Sequence, residues 1–338
     1  MHRSRNFHAD ARIVNAIQQH LATRRAAGLF DFSFMSLIEI DGTGACAFLE
    51  YLQTRSIAAL EPGRIVYTLL LHDDASVFID ATLWKHADDC WWLFAGRRTD
   101  IDTIKRRARS FDVRVRERSD EFAVLALQGP ASGRTLAKLA GEAVVRDLRY
   151  FRFIETRLDG VRSSVGRLGY SGELGYEIVV PAAEAPSLGS ALLDLGVAEC
   201  GFDAANSLRI ESGYLLFDRE VTGDENPLEL RLLRLVAIDG REFFGKQAFA
   251  ALRRAPQERL LVGLEIIDRV ASPLLPVARP TSECESPIFR RRIALGFAPQ
   301  TLSIGSLVRL PDGRLARTAR LPFYDPSRRL PRGAPLSV

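Results

Sequence analysis

The chain has 338 residues, 47% hydrophobic and 26% charged, with a formal net charge of +4 and only four cysteines. That length exceeds one compact core and points to two or three domains, and no apolar stretch approaches the roughly 20 residues of a membrane helix. The near balance of charge and the wide separation of Cys46, Cys90, Cys200 and Cys284 argue against nucleic-acid binding, a disulfide framework and a metal site.

Residues 1–12 mix His, Arg, Asn and Asp without the apolar core of a secretory signal, so the cytoplasm is the expected compartment. Ile13, Val14, Ile17 and Leu21 have helical spacing and predict a helix over residues 13–27, closed by Gly28. Residues 35–40 read as extended and 41–44 as a turn. A helix over 45–54 follows, with Phe48, Leu49 and Leu52 on one face. Strands are expected at 65–72, 76–83 and 90–94, a helix at 100–109, and a half-exposed strand within the basic run 105–118. A short strand at 123–127 precedes a helix at 132–140. Strands then recur at 150–158, 163–167 and 176–180, before a helix at 185–194. Beyond residue 255 short apolar runs (260–266, 292–297, 306–310) alternate with Pro, Gly, Ser and Asp, which suggests a small all-β domain with a loop at 272–280. The whole reads as α+β, with one region over residues 1–254 and a second over 255–338.

Two motifs fail on inspection. Gly42-Thr43-Gly44-Ala45-Cys46-Ala47 fits a dinucleotide fingerprint, but Glu61, the acidic residue at the right distance, lies in a Glu-Pro-Gly turn. It reads as a tight turn entering a helix. Gly169-Tyr170-Ser171-Gly172-Glu173 approaches a nucleophile elbow but ends in Glu and has no evident His partner. Asp80 is more telling, because it interrupts the apolar strand around Val77 to Leu83, where a carboxylate is costly without a purpose. Arg209 and Glu211, two residues apart, suggest an ion pair supporting a site.

A collinear series of short motifs then carries a family resemblance. Leu29-Phe30-Asp31-Phe32-Ser33-Phe34-Met35, Ala126-Leu127-Gln128-Gly129-Pro130, Gly169 to Glu177 (GYSGELGYE), Asn206 to Gly213 (NSLRIESG), Asn226-Pro227-Leu228-Glu229, Phe244-Gly245-Lys246 and Phe323-Tyr324-Asp325-Pro326 occur in order. This set resembles the glycine-cleavage T-protein, or aminomethyltransferase, family of folate-binding one-carbon transferases. The resemblance implies a three-lobed fold, with two interleaved α+β folate-binding lobes and a C-terminal β-barrel. It also implies tetrahydrofolate as the one-carbon acceptor. Glu177 matches the family glutamate that accepts the pterin 2-amino group and adjacent ring N–H, two parallel donors suited to one carboxylate. Asp80 matches the second Asp of the family's Asp-Asp pair, which orients the folate and manages the proton near N5 and N10. Tyr67 matches a ring-contacting tyrosine, and Tyr170 and Arg209 are the remaining implied cofactor-binding residues.

The chain also departs from the family. Ile79 replaces the first Asp of the pair, Phe34 a histidine, Phe94 an asparagine, and Ala205 an arginine that contacts the cofactor in family members. The N-terminal loop that helps line the family's substrate channel is absent. The expected activity is therefore tetrahydrofolate-dependent methyl, methylene or aminomethyl transfer from a small-molecule donor other than the standard lipoyl-bound aminomethyl group. The alternatives are a non-catalytic folate-binding accessory protein, or a partner of a sarcosine- or dimethylglycine-type amine oxidase or of a carrier protein.

Overall fold

The computed structural model describes residues 16–96, 98 and 101–333. The start of the predicted first helix (residues 13–15), residue 100 of the predicted third helix and the segment 1–12 lie outside them. Helix α1 (Ala16–Arg25) leads into β1 (Gly28–Asp31), β2 (Ser36–Asp41), α2 (Ala45–Leu52), β3 (Ile65–Leu71), β4 (Val77–Ala87), β5 (Cys90–Ala95), α3 (Ile101–Ala108) and β6 (Arg114–Glu117). Five of these strands form an antiparallel sheet in the order β3-β4-β5-β2-β6. Strand side chains alternate between faces. Ile38, Ile40, Leu70, Ile79, Leu83 and Leu93 meet Phe48, Leu49 and Leu52 of α2 and Ile104 of α3 on one face. The other face carries Leu37, Ile65, Trp84, Trp92 and Phe94.

The chain continues through β7 (Phe122–Gln128), α4 (Ser132–Ala140), α5 (Glu142–Asp147), β8 (Phe153–Leu158), β9 (Val161–Gly166), β10 (Gly175–Pro181), α6 (Ala185–Asp194), β11 (Ala198–Cys200) and α7 (Phe202–Glu211). A six-stranded sheet runs β11-β1-β7-β10-β9-β8, with β1 inserted between β11 and β7. The first strand of the chain thus belongs to the second sheet, so the two α+β lobes interleave. Leu136, Leu188 and Leu192 pack on its outer face. Its inner face contributes Phe30, Val124, Ala126 and Val179, which share one apolar layer with Trp84 and Phe94 of the first sheet.

Helix α8 (Lys246–Leu252) precedes β12 (Arg259–Val270), β13 (Arg279–Ser286), β14 (Arg291–Pro299), β15 (Leu307–Arg309) and β16 (Arg314–Ala319). These five strands form an antiparallel sheet ordered β13-β14-β12-β16-β15, the third lobe of the α+β fold. Helix α7 packs against β13 and β14 and joins this lobe to the rest.

Four differences from the sequence expectation have physical reasons. Strand β1 is only four residues long, too short for its Gly-Leu-Phe-Asp run to show a period. Helix α7 was not predicted because its inward face includes Arg209 and Glu211, both fully buried, which hides the apolar period. Helix α1 buries His20, Thr23 and Arg24 while Ile17 is 43% exposed, so the expected apolar face is not the one turned inward. Arg209 and Glu211 do not pair with each other, since residues two apart on a helix diverge. Each instead finds another partner.

Candidate functional site

The motif segments explain one another as packing. The Gln128 side chain lies against Gly169 and Gly175, where an added Cβ would come within 1.9 and 2.3 Å of its Oε1. A larger residue at either position would displace the Gln128 amide, which holds Ser171 in the turn ahead of Glu177. Ser171 is buried and donates its hydroxyl to Gln128 at 2.8 Å, a structural and not a nucleophilic use. Gly42 and Gly44 lie against the Asp112 backbone, with Gly44 N–H donating to the Asp112 carbonyl at 3.0 Å. That turn has protein where a dinucleotide would need space.

A buried ionic network links three of the motifs. Arg24 reaches Glu211 at 2.8 Å, Glu173 at 3.0 Å and the Ser171 carbonyl at 2.8 Å, and its guanidinium lies 3.8 Å from the centre of the Tyr324 ring. His20 adds contacts to Ser207 at 2.7 Å and Glu211 at 3.2 Å. Burial alone would raise the proton affinity of Glu211, but His20 and Arg24 outweigh it and hold the carboxyl below its usual range. Burial dominates at Glu173, whose proton affinity is raised despite Arg24. The network clamps α1, the Gly-rich turn, α7 and the Tyr324 segment together. Nothing in the apolar pattern signals it; polar residues at positions 20 and 24 of one helix face are its trace in the sequence.

Arg209 is fully buried. It donates to Asn206 Oδ1 at 2.9 Å, Glu220 at 2.6 Å, the Tyr214 carbonyl at 3.1 Å and Ser282 at 2.6 Å. Four of its five N–H groups are thereby committed to protein. Its effect passes to the loop that follows α7. Tyr214 stacks on Tyr170 with ring centres 5.9 Å apart, and the Tyr170 hydroxyl donates to the Leu215 carbonyl. Tyr214 was not among the residues picked out in the sequence, because a tyrosine just past a helix has no local signature.

Tyr67 on β3 and Asp80 on β4 lie on neighbouring strands, and the Tyr67 hydroxyl donates to Asp80 Oδ2 at 2.9 Å. Asp80 projects from the same face as Trp84, toward the shared layer. Burial raises its proton affinity, and the Tyr67 hydrogen bond offsets part of that rise. Tyr67 and Tyr170 are both held well above the usual tyrosine range, by burial first and with a contribution from the Asp80 charge. The three groups therefore sit within electrostatic reach of one another.

Glu177 approaches the layer from the opposite sheet. It stands on β10 between Ala126 of β7 and Gly166 of β9, on the same face as Val179. Trp84 fills the space over Gly166, where a Cβ would lie 2.3 Å from its ring. Glu177 is 9% exposed, and burial pushes its carboxyl up to about 7. Among the described residues no side chain or backbone group hydrogen-bonds or pairs with that carboxylate, although other buried acids here, such as Glu211 and Glu220, are paired. A carboxylate in an apolar layer without a protein partner leaves its acceptor capacity unused by the fold.

Three of the four departures fall around the same layer, and Ile79 packs on the opposite face of the first sheet. Phe94 is 3% exposed and packs 5.2 Å from Trp84. Ala205 is buried beside Leu208. Phe34 is 49% exposed, edge-on to Phe202 and Phe32. At these three positions, where the resemblance implies polar residues, the chain carries hydrocarbon side chains. No group of three or more metal-ligating side chains occurs among the described residues, and no helix there is long and apolar enough to cross a membrane.

Comparison with known proteins gives consistent relatives. The GCVT N-terminal domain family matches residues 1–240. An aminomethyltransferase of Desulfitobacterium hafniense (strain Y51) is 33% identical over 301 residues, covering 85% of this chain and 82% of that protein. One from Symbiobacterium thermophilum is 34% identical over 341 residues, covering 93% and 91%. The crystal structure of the glycine cleavage system aminomethyltransferase T from Bartonella henselae superimposes with a TM-score of 0.82 at 30% identity, covering 93% of this chain and 90% of that one.

Proposed function

The chain belongs to the aminomethyltransferase family, and from that premise we propose that it is a tetrahydrofolate-dependent one-carbon transferase whose donor is not the lipoyl-bound aminomethyl group. The observation that carries the folate reading is Glu177, a 9% exposed carboxylate with no protein partner among the described residues. A pterin edge presents two parallel N–H donors of the kind this group lacks, and accepting them would favour its ionised form. Bound tetrahydrofolate supplies a nucleophilic amine that accepts the one-carbon unit.

The chain's own residues do the positioning. Asp80, held by the Tyr67 hydroxyl at 2.9 Å, is oriented to accept a hydrogen bond from the acceptor amine and to take up its proton. Its raised proton affinity suits that use, since a base is more effective as its pKa approaches the working pH. Tyr170, braced by Tyr214 and the Leu215 carbonyl, walls the site on the Asp80 side. Arg209 contributes by shaping the loop that holds Tyr214, a positioning role in place of direct contact. The apolar replacements at Phe34, Phe94 and Ala205 favour a donor with little polar surface to satisfy.

The test is to incubate the protein with tetrahydrofolate and a panel of methylated amines, sulfonium compounds and aryl methyl ethers, following methylated or methylene folate by chromatography. Asp80→Asn should abolish turnover with an unchanged circular dichroism spectrum. Turnover in that variant equal to wild type would overturn the assignment of Asp80.

A further inference from the structure

A continuous series of aromatic rings leads from the surface to Tyr170. Phe34 and Phe202 meet edge to face with ring centres 5.8 Å apart, Phe34 meets Phe32 at 5.8 Å, and Phe32 meets Phe30 at 5.9 Å and Tyr170 at 6.4 Å. At the inner end Tyr170 lies within electrostatic reach of Asp80, and Phe30, Ala126 and Glu177 stand in register on the adjacent strands β1, β7 and β10. The outer end is open to solvent. Phe34 is 49% and Phe202 46% exposed, and they are the only exposed phenylalanines among the described residues.

Both exposed rings stand on fixed backbone. The Ser33 hydroxyl accepts the Val124 N–H at 3.1 Å, and the Ser33 N–H donates to Asp31 Oδ1 at 2.9 Å, which holds the turn that carries Phe34. Phe202 opens α7 directly after Gly201, whose N–H donates to Gln19 Oε1 of α1 at 3.0 Å. A single exposed apolar side chain is ordinary, whereas a fixed pair in contact marks a binding surface. Its surroundings carry negative charge: Asp31 is bound to the Phe34 turn, Asp203 follows Phe202 in the first turn of α7, and both are exposed. Arg98 reaches the Ser33 carbonyl at 3.5 Å but is paired with Asp120 at 2.6 Å. Aromatic faces attract cations, and methylated cations suit them because they present hydrocarbon and charge together. A neutral aryl ether would use the rings but not the carboxylates; a methylated cation uses both.

We propose that Phe34 and Phe202 form the outer subsite for a methylated onium cation, a quaternary ammonium or a sulfonium, which is the one-carbon donor. The donor role rests on the folate reading and narrows it to one class of compound. Transfer from such a donor balances: its methyl carbon bonds to the folate amine, the broken C–N or C–S bond leaves its electron pair on the donor's heteroatom, and the proton of the amine passes to Asp80. The heteroatom thereby loses its permanent charge, which weakens the hold of the rings on the departing product.

Calorimetric titration of the full-length wild type and of Phe34→Leu/Phe202→Leu tests this with choline, trimethylsulfonium and 3,3-dimethylbutan-1-ol, the uncharged isostere of choline. Leucine keeps an apolar side chain and removes the ring, and both positions are half exposed, so the unfolding midpoint should not move. If the double variant does not fold, Phe202→Leu alone is read in the same way. Wild-type binding of either cation in preference to the alcohol, weakened about fivefold or more in the variant, supports the subsite, and the tighter cation names the donor's heteroatom. Equal affinity for choline and the alcohol, binding that the variant leaves unchanged, or no binding of either cation overturns it. A wild type that sediments as a dimer, dissociated by the substitutions and indifferent to both cations, assigns the ring pair to a second copy of the chain and also overturns it. Tetrahydrofolate titrated into the same proteins keeps the two readings apart: absence of binding by the wild type removes the folate reading and the donor role, while the preference for cation over alcohol alone decides the subsite.

Discussion

Replacing Glu177 by Gln should make the protein more stable, and increasingly so as pH rises. The carboxyl has an ordinary value of 4.5 and is pushed to about 7 in the fold by burial. A group whose folded value is raised contributes stability that is fully present below its unfolded value and is lost as pH rises through the folded one. At about 1.4 kcal/mol per tenfold, ionised Glu177 costs the wild type about 3 kcal/mol at pH 8 and about 1 kcal/mol at pH 5. Glutamine has nearly the same volume and does not titrate. The stability gap in favour of Glu177→Gln should therefore widen by about 2 kcal/mol between those two pH values. Urea denaturation of both proteins at pH 5 and pH 8, with m-values compared, measures it. A gap that is constant with pH, or that favours the wild type at pH 8, would show that the carboxylate has a stabilising partner in the free protein and would remove the argument that it waits for a ligand.

Other consequences follow from the same geometry. Arg24→Met should cost about 3–5 kcal/mol, because Glu211 and Glu173 are left buried without their cation, and a thermal melt would detect it. Tyr67→Phe removes the hydrogen bond that lowers the proton affinity of Asp80, so the acid limb of the transfer rate should move to higher pH. An unmoved limb would mean that Asp80 is not the titrating group. Gly129→Ala places a side chain at φ +123° and within 2.5 Å of the Thr23 and Ala26 carbonyls, and a loss of about 1–3 kcal/mol or more is expected in equilibrium unfolding.

The sequence made the sheet-forming segments legible where apolar residues alternate or run together, as in β3, β4, β5, β10 and β14. It made Asp80 and Glu177 legible for the opposite reason, as single acids in apolar strands. What it hid was polar. Helix α7 and the inward face of α1 are held by Arg209, Glu211, His20 and Arg24, and their partners lie tens to hundreds of positions away, so no local period reports them. The same holds for Tyr214, which gains its place by stacking on Tyr170. Collinear motifs identified the family, but the reason for their glycines, the Gln128 side chain lying against Gly169 and Gly175, is visible only in three dimensions.

The most direct measurement is calorimetric titration with tetrahydrofolate at pH 8, where Glu177 is ionised, comparing wild type with Glu177→Ala. The account predicts saturable binding by the wild type and a loss of at least tenfold in the variant, as expected when a buried acceptor for two donors is removed. Equal affinity in the two proteins, or no binding by the wild type, would contradict it.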